Sequence, residues 1–182
     1  MSKTLGIRLD EETEELLDSL SETMNMKKSR LMKQAFHEWA LIKQQIQTEN
    51  KILCDRILLA QLFQIIPDEN ISEIAETVSE HIISIIKIRQ IERNLEESIE
   101  TFLNNYTTFS SLQRSGWFQN IDYTIDEDGK ISIYGIHSLN HQYSKYASEL
   151  ISKILLKKFN YIQKEKRTTD NSIILEFIQA KE

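Results

Sequence analysis

Lys3 to Lys43 reads KTLGIRLDEETEELLDSLSETMNMKKSRLMKQAFHEWALIK, and its hydrophobic period changes inside the first ten residues. Leu5, Ile7 and Leu9 alternate with Thr4, Gly6 and Arg8, which is the period of a strand with one dry and one wet face. Asp10 then offers a helix N-cap, with Glu11 and Glu12 in the electropositive first turn behind it. Leu16, Leu17 and Leu20 follow at helical spacing. Asn25, which tolerates the left-handed conformation, ends that helix. A second helix starts near Lys28 and carries Leu31, Met32, Ala35, Phe36 and Trp39 on one face. A lone strand has nothing to pair with here, and two short helices bury little. The economical solution is a homodimer in which two strands pair into a ribbon and four helices pack beneath it.

Leu5, Ile7 and Leu9, the cap at Asp10, the turn at Asn25, Lys28-Ser29 at the start of the second helix, and the apolar positions Leu16, Leu20, Met26, Ala35 and Phe36 together resemble the ribbon-helix-helix (Arc/MetJ/CopG-like) family of DNA-binding proteins. The likeness covers about the first quarter of the chain. It implies a dimer that inserts its paired ribbon into the major groove of double-stranded DNA. Thr4, Gly6 and Arg8 would then face the bases, with Arg8 able to give guanine a bidentate contact. Lys3, Lys27, Lys28, Ser29 and Arg30 would hold phosphates, the last four around the free N–H groups of a helix start. Two departures stand out. Gly6 reads nothing where family members carry a polar residue, and Lys27 sits where Ser or Thr often caps. The plainer alternatives are a strand that only dimerises, as in members that bind proteins, and a solvated turn at Lys28-Ser29.

The chain has 182 residues, 40% of them hydrophobic and 27% charged, which describes a folded protein. Four glycines and one proline favour long helices. No apolar run reaches the length of a membrane span, and Lys3 and Arg8 interrupt any apolar leader, so the expected setting is cytoplasmic, with no membrane partner. The single cysteine, Cys54, allows no internal disulfide and reads as a small buried hydrophobe in a helix. The net charge is −6, yet residues 1–47 hold seven bases against eight acids. The acids lie mainly on the first helix, and the bases lie on the strand and around the second helix start. The acidic remainder limits unspecific binding to DNA.

Residues 1–47 form one expected domain and 48–182 a second. Residues 44–50 are polar, and either continue the second helix or form a hinge. Residues 51–66 are strongly apolar and read as a buried helix ended by Pro67. Asn70 with Glu73 suggests a capping box. Residues 71–106 keep helical spacing as one long helix, or as two with a bend near 87–90. Residues 107–120 read as a loop. Strands are expected at 121–125 and 131–137 around Asp126-Glu127-Asp128-Gly129, a helix at 141–159, and strands at 161–166 and 173–178. The fold class is therefore mainly α with an α+β C-terminal part: a ribbon-helix-helix, a helical middle, then a strand-strand-helix-strand-strand antiparallel module.

Little in this second half suggests chemistry. His137 and His141 are four apart, but Ser138-Leu139-Asn140 between them reads as a strand-to-helix turn. With His37, His81 and Cys54 scattered, no metal site is expected, which also separates the chain from nickel-sensing regulators. Asp126-Glu127-Asp128-Gly129 is too short for a calcium loop. No nucleophile triad, Gly-rich phosphate loop or carboxylate pair marks an enzyme, and no cofactor is called for. Tyr106, Phe109, Trp117, Phe118, Tyr123 and Tyr134 either pack as core or line a ligand pocket. The expected function is a homodimeric repressor-like regulator. Its C-terminal part adds dimer contacts or higher assembly, or receives an effector or partner protein. The competing expectation is an antitoxin-like module that uses this part to bind a protein.

Overall fold

The computed structural model describes residues 6–40, 54–93, 98–110 and 117–180. The chain divides into two compact units, residues 1–52 and 53–182. The described residues hold six helices and a four-stranded sheet.

The first unit begins with a helix, and no strand precedes it among the described residues. Residues 6–10 belong to no sheet, and Thr4 and Leu5 lie outside the described residues. The expected ribbon needs a second chain, so a single chain has no partner strand to offer. Helix α1 (Glu11–Thr23) starts as anticipated. Asp10 is extended, and its carboxylate accepts the Thr13 N–H at 2.8 Å. Asn25 takes the left-handed conformation (φ 48°), and the turn closes as Met26 N–H bonds Ser21 O and Ser21 Oγ bonds Met26 O. Helix α2 (Lys28–Glu38) follows, with no side chain capping its start. Instead the Lys28 ammonium reaches back to the Asp18 carboxylate on α1.

The second unit opens with α3 (Arg56–Gln64), capped by Asp55. That cap leaves Cys54 ahead of the helix and exposed, contrary to the expected buried thiol. Nor is α3 a buried helix. Phe63 is buried and Leu59 packs on the core, but Ile57, Leu58 and Leu62 remain exposed, as does Ile65 just after the helix. An unbroken apolar run does not say which side of a helix meets the core. Helix α4 (Asp68–Arg93) starts directly after Pro67, with Asp68 and Glu69 in its first turn. Asn70 thus lies inside the helix, donating its N–H to Pro67 O, so the expected capping box is absent. A separate α5 (Ile99–Ser110) follows, started by Ser98, whose Oγ accepts the Thr101 N–H. Helix runs unbroken through 87–90, where a bend is one expectation, residues 94–97 lie outside the described residues, and α5 extends into the expected loop.

The α+β module follows expectation. Strands β1 (Asn120–Ile125) and β2 (Ile131–Ile136) flank a turn with Gly129 at φ 76°. Then come α6 (His141–Phe159), β3 (Tyr161–Thr168) and β4 (Ser172–Gln179). The order is β1-β2-β4-β3, antiparallel throughout. Ile131 opposite Phe177, Ile133 opposite Leu175 and Gly135 opposite Ile173 line the inner face, against which α6 packs.

Helix α4 runs alongside α6 in the same direction, and charge spacing sets their register. Asp68, Glu76 and Glu80 repeat the 8- and 4-residue steps of Lys145, Lys153 and Lys157, and each acid meets the lysine at the same sequence offset. Ala75, Ser79, Ser144 and Ser148 are fully or almost fully buried small residues on these two helices, which suits close approach.

Gly135 fills a tighter role. A Cβ there would lie 2.6 and 2.8 Å from carbons of the buried Phe118 ring and 3.2 Å from Ile173. Gly135→Ala is expected to destabilise this unit by about 1–3 kcal/mol through overpacking. The measurement is the urea midpoint, which should fall with the slope unchanged.

Candidate nucleic-acid interface

The residues expected to meet DNA lie in the first unit. Gly6 and Arg8 are exposed ahead of α1, and Lys27, Lys28, Ser29 and Arg30 are exposed at the start of α2. Lys3 and Thr4 lie outside the described residues. The structure qualifies the phosphate set in one respect. Lys28 is paired with Asp18, and this contact raises its pKa. The uncapped backbone of α2, Lys27 and Arg30 stay available to an anion. Lys33, counted among the bases of this region, and His37 share with Arg30 the i, i+3, i+7 stripe of α2. That stripe lies opposite Leu31, Met32, Ala35, Phe36 and Trp39.

The apolar side of this unit is largely uncovered. Among the described residues only Leu17 and Leu31 are buried, while Ile7 (61% exposed), Leu16, Leu20, Met24, Phe36 (67% exposed) and Trp39 are open. Two buried side chains among the described residues offset little of the entropy of ordering two helices. Covering half of a large apolar side chain is worth about 1 kcal/mol. A two-fold dimer counts each of the six exposed residues twice, a gross gain on the order of 10 kcal/mol against the cost of association.

The second unit contains a buried polar network that sequence reading missed. His137 is almost fully buried; its Nδ1 accepts the Leu139 N–H at 3.3 Å, which leaves the proton on Nε2. Nε2 lies 2.7 Å from Ser144 Oγ, and Ser144 Oγ donates onward to Thr169 O at 2.6 Å. The hydroxyl proton therefore points at a carbonyl, and the histidine is a donor to the serine, so the pair is not an activated nucleophile. It ties the β2–α6 connection, α6 and the β3–β4 turn together. Burial lowers the His137 pKa to about 4, keeping the imidazole neutral. His141 stands apart as the first residue of α6, 3.9 Å from Asp170 and half-exposed.

The aromatic set is dispersed. Phe118 is buried against Tyr143 and His137, Trp117 stacks on Tyr143, and Tyr106 stacks on Phe102. Tyr123 packs on the core, whereas Tyr134 lies on the outer sheet face; the Phe109 side chain falls outside the described residues. Most of these rings are packing. No helix among the described residues is long and apolar enough to cross a membrane. The chain matches no family model, no curated protein and no solved structure.

Proposed function

We propose that the chain is a homodimeric, sequence-specific DNA-binding transcription regulator of the ribbon-helix-helix type and not an enzyme, acting on double-stranded DNA in the cytoplasm. The observation that carries this reading is the first unit's uncovered apolar side beside an exposed segment bearing Arg8. A second copy covers that side, and pairing of the two segments around Gly6 and Arg8 makes the ribbon. The Asp10 cap and the left-handed Asn25 support it, because they set the entry and the turn that such a unit needs. Thr4 and Arg8 read base edges, Gly6 lets the backbone approach, and Lys3, Lys27, Ser29 and Arg30 hold phosphates. Lys28 joins them when DNA competes it away from Asp18.

Binding titrations with Arg8→Ala and Arg30→Ala separate these roles. Arg8→Ala should cost roughly 1–3 kcal/mol per contact on the preferred site and little on random DNA. Arg30→Ala should weaken both DNAs alike and lower the salt slope by about 0.9 per contact. Unchanged specific affinity in Arg8→Ala would remove the groove-reading role.

A second reading, an antitoxin-like module binding a partner protein, draws on the exposed Ile57, Leu58, Leu62 and Ile65 at α3. If that were the whole function, wild-type protein would discriminate no DNA sequence.

A further inference from the structure

The strand register lines up Asp122, Tyr134, Ile174 and Arg167 side by side across all four strands, on the face away from α6. Ile136, Ile162 and Ile178 lie on the same face. The direction is fixed by the neighbours: Ile121, Ile133, Leu175 and Lys166 point to the helix side, where Lys166 pairs with Glu149 of α6. An antiparallel sheet with one wet face alternates apolar-in and polar-out. Here the centre of the outer face holds Tyr134 and Ile174, 43% and 39% exposed. Charges of opposite sign end the row, Asp122 on one edge strand and Arg167 on the other.

We propose that this face packs on the same face of a second copy, about a two-fold axis running along the strands between β2 and β4. That axis carries β1 over the partner's β3 and β2 over the partner's β4. Tyr134 then meets the partner's Ile174, and Asp122 meets the partner's Arg167, each contact occurring twice. Arg167 already pairs with Glu165 of its own chain, and its exposed guanidinium has donors left for a second carboxylate. In the next row Thr124 and Ser132 fall over the partner's Glu165 and Glu176, and Glu176 is itself paired with Lys130. An axis across the strands would instead set Asp122 on the partner's Asp122 and Arg167 on the partner's Arg167, so the charges select one packing. Lengthening the sheet edge to edge at β3 is opposed by the bulge between Gln163 and Glu165 and by Lys164 within it.

Four strands about 4.8 Å apart and about seven residues long give a face of roughly 400 Å² in plan. A standard interface buries about 800 Å² per partner. The contact is therefore weak by itself and concentration-dependent. It lies wholly in the second unit and does not rest on the DNA reading.

The test is sedimentation equilibrium over rising concentration, with the full chain carrying Phe36→Asp so that the first unit adds no contact. Four proteins are compared: this parent, Asp122→Arg, Arg167→Asp, and the double swap. The parent should associate to dimers. Each single swap should weaken association about fivefold or more, and the double swap should return it to near the parent value. Ile174→Glu in the same chain should abolish it. All these positions are exposed, and unchanged circular dichroism checks the fold. A parent that stays monomeric at every concentration, or single swaps and Ile174→Glu that associate like the parent, would overturn the proposal.

Discussion

Phe36→Asp is expected to abolish the proposed first-unit dimer and DNA binding with it, leaving a full chain that is monomeric at low micromolar concentration and associates only weakly, through the sheet face of the second unit, at higher concentration. Phe36 is 67% exposed on α2, on the same face as Leu31 and Trp39. In the proposed dimer that face would be covered, so the substitution would remove about 2 kcal/mol of apolar burial and place a carboxylate there instead. Two-fold symmetry doubles the penalty, so the dissociation constant should rise by about a thousandfold or more. Sedimentation equilibrium reads the effect, and Phe36→Leu should leave the dimer in place. The second unit should keep its fold in Phe36→Asp, because among the described residues its core is built from residues 59–177 alone. A wild-type protein already monomeric at these concentrations would remove the basis for the ribbon.

The second large effect concerns pH. His137 has a folded-state pKa of about 4 against an ordinary value of 6.5, because burial disfavours its charged form. Between those values the unfolded chain binds more protons than the folded one, so stability rises with pH there. The contribution is complete above about 6.5 and falls away progressively as pH drops to about 4, a loss of roughly 3 kcal/mol. Asp68 and Glu76 are carboxylates whose pKa values are lowered by hydrogen bonds to Lys145 and Lys157 respectively, so their loss sets in at lower pH. Urea unfolding at pH 7, 6, 5 and 4.5 should show the decline, with the helix and sheet signals of the second unit lost together. His137→Gln should be less stable at pH 7, since Ser144 and Leu139 lose a fitted partner, yet nearly flat from pH 6.5 to 4.5. An equal slope in that variant would place the titrating group elsewhere.

Much of the second unit was legible from spacing alone. Period-two runs around Gly129, and the helical positions from Tyr143 to Leu155, produced the strands and α6 within two residues of their ends. The errors share a cause: local pattern does not show what an element packs against. Residues 51–66 looked buried because they are apolar, but α3 meets the core through only one side. Ser98 caps α5, whereas the helical spacing over 71–106 fits one long helix as well as two with a bend near 87–90. The His137–Ser144 bond joins a strand end to a helix across seven residues, and the Lys28–Asp18 pair bridges two helices across ten. No sequence period announces such pairs. In the first unit, Asp10, Asn25 and the start of α2 stand where the pattern put them. The expected strand is not among the described residues: residues 6–10 belong to no sheet, and alternation alone does not supply a pairing partner.

Selection from a pool of random-sequence duplex DNA tests the central claim most directly, because it works wherever the operator lies. The account predicts enrichment of a pseudo-palindromic site bound by two chains or a multiple of two. That site should bind about a thousandfold or more tighter than the starting pool, with affinity falling steeply as salt rises. A pool that emerges with its sequences unchanged, from protein shown to be folded and dimeric, would contradict it.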